Sequence, residues 1–437
     1  MSRIRHADLY GPREGKYAAL ERLDVATTEW TEIEPQTPWY LFKPFDLSLW
    51  GEYGEWWKVN EVFPVNSVGI VTARDRLTIH FTRDELWQTV TDFVALEPEQ
   101  ARRKYQLGRD VQDWKVADAQ KDLRDSGPVK GNIVPILYRP FDIRWTYFTG
   151  RSRGFICRPR GEVMGHMLAG GNRVLSATRS IEIDAGFHHC FAADVLTTHH
   201  TVSVKEVNYA FPLYLYPAGD LAMETERKAN LADGFLRALR GSIGNEAPAF
   251  TPEDVFHYIY AVFHSPTYRS RYEEFLAIDF PRVPLPGSDA LFRELSRIGE
   301  ELVALHLVRK AGADMPKYPI PGSDLVERVR YEAPTPLVGR AGEGAESATA
   351  PVSAGRVWIN KAQYFSPVPR EVWDFHIGGY RVCEKWLKDR KDRTLGADDL
   401  EHYAKIVANV AETIRLMERL DEVIDAHGGW PAAFGRH

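Results

Sequence analysis

The chain reads as an α+β protein, with a mixed β-sheet region in its first half and a helical part behind it that ends in one long helix. Three patterns carry this reading. Short strand-like alternations recur up to Pro217, as where Leu77, Ile79 and Phe81 interleave with Thr78, His80 and Thr82. Beyond Pro217 the apolar spacing becomes helical, as at Leu291, Leu295, Ile298, Leu302 and Leu305. From Ala397 to His427, the residues Leu400, Tyr403, Val407, Val410, Ile414 and Met417 alternate spacings of three and four, a heptad seam for a spacer helix packed on another helix of the chain or on a partner. Composition divides the chain into a connector over 1–30, an aromatic and basic β-rich part over 31–217, a helical part over 218–331, a mobile linker over 332–355 and a last part over 356–437.

With 437 residues, 44% hydrophobic and 12% aromatic, the chain can bury a large core. The formal charge of -6 argues against an arm-like or histone-like nucleic-acid binder, yet a net value leaves room for one basic face on an acidic body. Cys157, Cys190 and Cys383 lie far apart and form neither a disulfide framework nor a zinc spacing, so a reducing compartment is expected. The first residues are charged and lack the apolar core of a signal peptide, and no apolar run reaches membrane-spanning length. The expectation is a soluble, cytoplasmic protein without membrane association.

In chain order, the connector carries a short charged helix, Arg13 to Leu23. Trp39, Tyr40, Phe42, Phe45, Trp50 and Tyr53 then crowd together and read as a core packed under loops. Val68, Ile70 and Val71 predict a strand, Thr72 to Asp75 a turn, and Leu77 to Phe81 a second strand. Thr82-Arg83-Asp84-Glu85 opens a helix with a capping box. From Tyr138 to Gly161, six arginines (139, 144, 151, 153, 158 and 160) face the single acid Asp142, which gives +5. Arg139 and Arg144 are candidates to pair with Asp142, whereas Arg151, Arg153, Arg158 and Arg160 have no acid near them in sequence; guanidinium forks of that kind suit phosphate or guanine.

Residues 174–216 read as several strands, among which His188, His189, Cys190, His199 and His200 raise a metal reading. Their spacing supports it weakly, because neighbouring histidines on a strand point to opposite faces and no HExxH or CxxC pattern is present. Thr251-Pro252-Glu253-Asp254 starts a helix that Ser265-Pro266 interrupts. An extended joint follows over Phe280 to Pro286, and then a helix from Ala290 to Val308. The stretch 332–355 is poor in large apolar residues.

The last part is organised around Val372 to Arg393. Trp373, Phe375 and Ile377 alternate as a strand, Gly378-Gly379 predicts a turn or a close backbone approach, and Val382, Cys383, Trp386 and Leu387 then recur at helical spacing among six cations. Such a unit can set a glycine-lined backbone and a basic helix against phosphates. The chain carries no GxxxxGK[ST] loop, no GxGxxG and no [DNS]PP[YFW] tetrad, so it is not expected to be catalytic on its own. Two rival classes stay open: a metal hydrolase built on the histidines and cysteine named above, and a protein–protein assembly module using the heptad helix.

Six phrases in fixed order carry a resemblance: FPVNSVGIVTARDRLTI (63–79), YRPFDIRW (138–145), FPLYLYP (211–217), FTPEDVFHYIYAVFHSPTYRSRY (250–272), INKAQYF (359–365) and FHIGGYRVCEKWLKDR (375–390). Together they resemble the C-terminal specificity region of Type ISP restriction-modification enzymes, over roughly Leu9 to Ile424. In that family one polypeptide joins a nuclease, a helicase-like ATPase, an adenine-N6 methyltransferase and a target recognition domain that serve phage defence. The resemblance implies that this chain recognises double-stranded DNA and directs methylation and cleavage carried out elsewhere. Its partners would be the methyltransferase and helicase–nuclease domains or subunits of the same system. No cofactor is expected in this chain, since S-adenosylmethionine, ATP and Mg belong to the missing domains, and residues 1–30 would follow the methyltransferase. On physical grounds the DNA cleft is expected between Arg151, Arg153, Arg158 and Arg160 on one side and Lys361, Tyr364, Gly378, Gly379, Tyr380, Arg381, Lys385 and Lys388 on the other. In this reading arginines, Tyr364 or Tyr380 read base edges, while the lysines and the glycine backbone hold phosphates.

Overall fold

A computed structural model describes residues 3–181, 186–217, 227–334 and 355–435. Most of the stretch expected as a linker, residues 335–354, lies outside them. The chain forms two units, 1–54 and 55–437. In the smaller one, Ile4–His6 pairs antiparallel with Thr31–Ile33. The helix Arg13–Arg22 has no buried residue. Of the aromatic crowd, Trp39 packs edge-on against Phe45 and Trp50, at 5.6 and 4.5 Å. Tyr40 and Phe42 instead stay exposed. The expected core under loops is thus built by only part of the set.

The larger unit holds two four-stranded sheets and several smaller ones. The first sheet orders Leu196–Thr197, Ile133–Arg139, Asp142–Tyr147 and Ile79–His80, with the outermost strand Leu196–Thr197 parallel to its neighbour and the rest antiparallel. The second orders Ser67–Val68, Asn208–Pro212, Val174–Thr178 and Cys190–Ala193, all antiparallel. One apolar core joins residues of both sheets (Ile136, Leu137, Phe191, Ala210) to the last part of the chain (Trp373, Ile377, Trp386, Tyr403, Val407). A second core lies under the helix Arg83–Ala95 and includes Leu86, Val90, Phe93, Trp114, Leu123 and Phe155. That helix begins with the expected reciprocal cap, Glu85 N–H to Thr82 Oγ1 and Thr82 N–H to Glu85 Oε2, each 3.1 Å.

The long helix spans Ala397–Ala426 and packs on Asp289–His306 and Arg370–Asp374. Its buried stripe runs through Tyr403, Ile406, Val407, Val410, Thr413, Leu416 and Leu420, wider than a two-helix seam because several neighbours cover it. Asn409 within it donates to Leu305 O and Lys310 O and accepts from Gly312 N–H. The seam is therefore used inside the chain. Around the glycine pair, the structure departs from the expected strand over Trp373 to Ile377. Pro369 starts a short helix, Arg370–Asp374, that buries Trp373, and only His376–Ile377 is extended, paired with Tyr380–Arg381.

Candidate nucleic-acid interface

The arginine loop follows the strand Asp142–Tyr147 and is shaped by a carboxylate it does not carry. Asp122, buried on the helix Val116–Ser126, accepts from Thr149 Oγ1 at 2.9 Å and from Phe155 N–H at 2.8 Å. Gly154 makes room for it, since a Cβ there would stand 2.1 Å from Asp122 Oδ2. The chain then returns to bridge Val71, with Arg158 N–H to Val71 O at 2.9 Å. Arg153 and Arg160 both sit in the left-handed region, with φ of 59° and 56°, which non-glycine residues seldom adopt and which clusters at functional loops. Arg160 is half-buried at the start of the helix Gly161–Leu168, and its Nε has no acceptor among the described residues.

The loop lines a cleft of about 200 Å³ between Asp113, Ser152, Arg153, Arg158, Arg160 and Glu162. Arg151, Arg153 and Arg158 keep 50%, 67% and 50% of their side chains exposed. Their sequence neighbours hold no acid to pair with, but the fold supplies acids from elsewhere. Arg151 meets Asp125 at 2.7 Å, Arg153 lies 3.9 Å from Asp113, and Arg158 is hydrogen-bonded to Asp113, all from a preceding part of the chain that folds alongside. The hydrogen bond from Arg158 holds the Asp113 carboxyl below its ordinary range. Exposed pairs of this kind are weak, so a phosphate can replace the carboxylate at little cost.

The C-terminal residues divide differently. Gly378 needs its glycine, because φ is +55° and a Cβ would stand 1.8 Å from Val202 O. Its N–H donates to His188 O at 2.7 Å and that of Gly379 to Val202 O at 2.9 Å. The expected phosphate-holding amides are thus spent within the protein: the close approach is to its own backbone. Tyr380 is 5% exposed and donates to His200 O at 3.2 Å, so it is a wall of the core and does not reach base edges. Arg381, Lys385 and Lys388 lie on the outer side, paired with Asp374 at 3.9 Å, with Asp389, and with Glu384 at 2.8 Å. Lys361 is exposed in the turn after Arg356–Trp358, and half-buried Tyr364 follows it.

Two arginine–aromatic ladders escaped the sequence reading. In the first, the guanidinium of Arg139 lies between the rings of Tyr138 and Tyr380, at 4.0 and 5.3 Å. That of Arg144 lies between Tyr138 and Phe81, both at 4.1 Å, and Arg393 covers Phe81 at 4.1 Å. Asp142, as expected, pairs with Arg144 at 2.7 Å; it also takes Arg390 at 3.0 Å. Burial pushes the Asp142 carboxyl up, but Arg390 and Arg144 outweigh it and hold it below the usual range. Arg139 has no acid partner among the described residues and donates instead to Tyr138 O and His200 O, at 2.7 and 2.9 Å. In the second ladder, Arg330 covers Trp358 at 5.0 Å, Trp358 meets Tyr364 at 4.7 Å, and Arg356 covers Tyr364 at 4.9 Å. Both ladders unite residues from distant segments, which is why composition and periodicity did not reveal them.

The histidines and cysteine do not converge on a metal, and among the described residues no three His, Cys, Asp or Glu side chains are placed to hold one. His189 is buried 3.7 Å from Glu206, and burial lowers it to about 4. The rings of His199 and His200 lie 3.9 Å apart because both sit in a turn and not on a strand. Gly150 to Gly154 has the G-x-S-x-G spacing of a nucleophile elbow. Its context is wrong: the next helix begins only at Gly161, and no histidine is hydrogen-bonded to Ser152 among the described residues.

Against known proteins, the family profile described as Type ISP C-terminal specificity domain matches residues 61–419. No curated protein matches the chain. Among solved structures, it is similar to a nuclease-deletion mutant of the Type ISP restriction-modification enzyme LlaGI in complex with a DNA substrate mimic, at 17% identity and TM-score 0.65 over 95% of this chain and 33% of that one. It is also similar to DrdV in a complex with DNA, at 21% identity and TM-score 0.64 over 94% of this chain and 41% of that one. A third similar structure is the ATP-dependent Type ISP restriction-modification enzyme LlaBIII bound to DNA, at 18% identity and TM-score 0.63 over 91% and 26%. The chain thus spans between about a quarter and two fifths of these longer polypeptides, and identities this low speak for the fold.

Proposed function

The chain belongs to the Type ISP C-terminal specificity domain family, and from that premise we propose that it recognises double-stranded DNA by sequence for a restriction-modification system. The profile match over residues 61–419 is the observation that carries the reading. Adenine-N6 methylation and cleavage are then the work of other domains or subunits, which also use S-adenosylmethionine, ATP and Mg²⁺. The protein acts in the cytoplasm, where the DNA is.

The cleft lined by Arg153, Arg158 and Arg160, with Arg151 beside it, is the first candidate surface. The guanidiniums of Arg151, Arg153 and Arg158 are exposed and engaged only in weak pairs, on a loop arranged by a buried aspartate, with half-buried Arg160 behind them. Arginine forks of this kind can exchange Asp113 and Asp125 for phosphate oxygens or for the acceptor edge of guanine. Exposed Arg381 and Lys388, with half-buried Lys385 between them, form a second group that suits phosphates. Tyr380, Gly378 and Gly379 support this group from within. Repeated selection from a random-sequence duplex pool tests the reading. One enriched sequence, bound with a steep salt dependence, is expected; a pool that stays random after selection would overturn it.

A further inference from the structure

The second ladder stands on a small three-stranded sheet, Arg330–Glu332, Arg356–Trp358 and Tyr364–Phe365. Strand alternation gives it two unlike faces. Val357 and Phe365 point into the core and are fully buried. The opposite face carries Arg330, Glu332, Arg356, Trp358 and Tyr364, with Arg330 opposite Trp358, Glu332 opposite Arg356 and Trp358 opposite Tyr364. The rungs therefore run arginine, tryptophan, tyrosine across the three strands and return to Arg356 on the middle one. Both guanidiniums are about half exposed, at 51% and 46%.

Charge on this face is left unbalanced. Glu332 is the acid near both arginines, 3.7 Å from Arg330 and 4.0 Å from Arg356, and it already accepts the Trp358 indole N–H at 2.6 Å. Lys361, in the turn joining the second and third strands, has no acid within 4 Å among the described residues. Among the described residues, three cations around this face against one carboxylate leave a surplus of two. Cross-strand stacking alone would stabilise a sheet with neutral partners equally well, and the buried side already anchors it. What the arrangement adds is pre-organisation: an aromatic face restrains each guanidinium, so less side-chain freedom is lost on binding an anion.

We propose that this face is a docking site for the phosphodiester backbone of duplex DNA. Arg330, Arg356 and Lys361 contact phosphate oxygens, and Trp358 and Tyr364 hold the guanidiniums in place and lie against the sugars. The proposal rests on the DNA-recognition reading and adds to it a site outside the arginine loop. Backbone contacts position a protein on DNA without reading sequence, so losses here fall equally on all duplexes.

The test uses the full chain and a fluorescent random-sequence 30-bp duplex, with affinity followed by anisotropy over a salt series. Arg330→Gln with Arg356→Gln should weaken binding about tenfold and flatten the slope of log affinity against log salt by about 2. Arg330→Lys with Arg356→Lys, which keeps charge but not the stacked fork, should keep the slope and weaken binding by about threefold. Should the glutamine pair melt early, Lys361→Gln touches no ring and should flatten the slope by about 1. If these variants bind as the parent does while Arg153→Gln with Arg158→Gln weakens binding, this site is overturned and the DNA reading stands. If the parent chain shows no salt-dependent binding to any duplex, both fall.

Discussion

The same chemical unit, guanidiniums stacked on aromatic rings, occurs twice in this protein and does two different things. In the ladder through Tyr380, Arg139, Tyr138, Arg144, Phe81 and Arg393, most guanidiniums have their own acids: Arg144 and Arg390 share Asp142, Arg390 also lies 3.7 Å from Asp399, and Arg393 meets Glu85 at 3.1 Å, while Arg139 is held by carbonyls. Asp142 is only 1% exposed, and the partners it joins belong to the first sheet and to the end of the basic helix, 248 residues apart in the case of Arg390. In the Arg330–Trp358–Tyr364–Arg356 ladder one carboxylate serves two exposed guanidiniums. Stacking is common to both. Burial and the number of acids decide whether arginines clamp two parts of a fold or remain available to an anion from outside.

The largest effect should come from the buried ladder. Asp142→Asn leaves Arg144 and Arg390 buried without their shared partner and should destabilise the protein by about 3 kcal/mol in denaturant unfolding, since Asp389 and Asp399 at 3.7 Å compensate only in part. A loss below about 1 kcal/mol would mean that the clamp is no stronger than a surface pair. Gly378→Ala comes next, at about 2 to 3 kcal/mol, because the added Cβ meets Val202 O at the close approach that seats Tyr380 beside Arg139. A melting temperature equal to that of the parent would show that the hairpin shifts freely and that the ladder does not depend on its position.

Much of the fold was legible because its signals are local. Capping residues at Thr82 and Thr251 lie within a turn of the helices they start, and the apolar spacing of Asp289–His306 and Ala397–Ala426 repeats often enough to be read. The glycine pair correctly marked a close backbone approach. What approaches, the protein's own Val202, was hidden, because burial of Gly378 and Tyr380 is decided by a segment far away in sequence. The arginine loop failed in the same way: its sequence neighbours hold no acid, and Asp113, Asp122 and Asp125 arrive only when the helix Val116–Ser126 folds against it. Neither ladder could be foreseen from spacing, since the rungs of each come from separated segments.

Acid separates two contributions beside and within the buried ladder. His402, whose ring lies 5.7 Å from that of Trp386, is shifted below 6.5 chiefly by burial, against the bond its Nε2 makes to Phe141 O. The unfolded chain then binds a proton more readily than the folded one, so stability falls as pH drops below 6.5. Asp142 is held below 3.8, so its contribution is intact above that value and is lost as pH falls further through the depressed folded value. Denaturant midpoints measured against pH should therefore decline first below 6.5 and again below 3.8. His189, His199, His257 and His306 are shifted down in the same direction, so His402→Gln should make the first decline shallower without removing it, and Asp142→Asn should make the second shallower; declines indifferent to both would place the acid sensitivity elsewhere.

The smallest expected effect is the sharpest test of the comparison. Arg356→Gln removes one guanidinium from the exposed ladder, whose ring partner Tyr364 stays packed on Trp358 and whose carboxylate neighbour Glu332 keeps Arg330 and the indole N–H. No buried charge is left without a partner, so the change in unfolding free energy should stay within about 0.5 kcal/mol, as for most surface substitutions. Had the two ladders the same role, Arg356→Gln would approach Asp142→Asn in cost. A loss of 2 kcal/mol or more would make the second ladder a structural clamp like the first, because arginines needed to hold a sheet together are not free to leave Glu332 for a phosphate. Near-zero change in stability is the condition under which its exposed cations can serve binding.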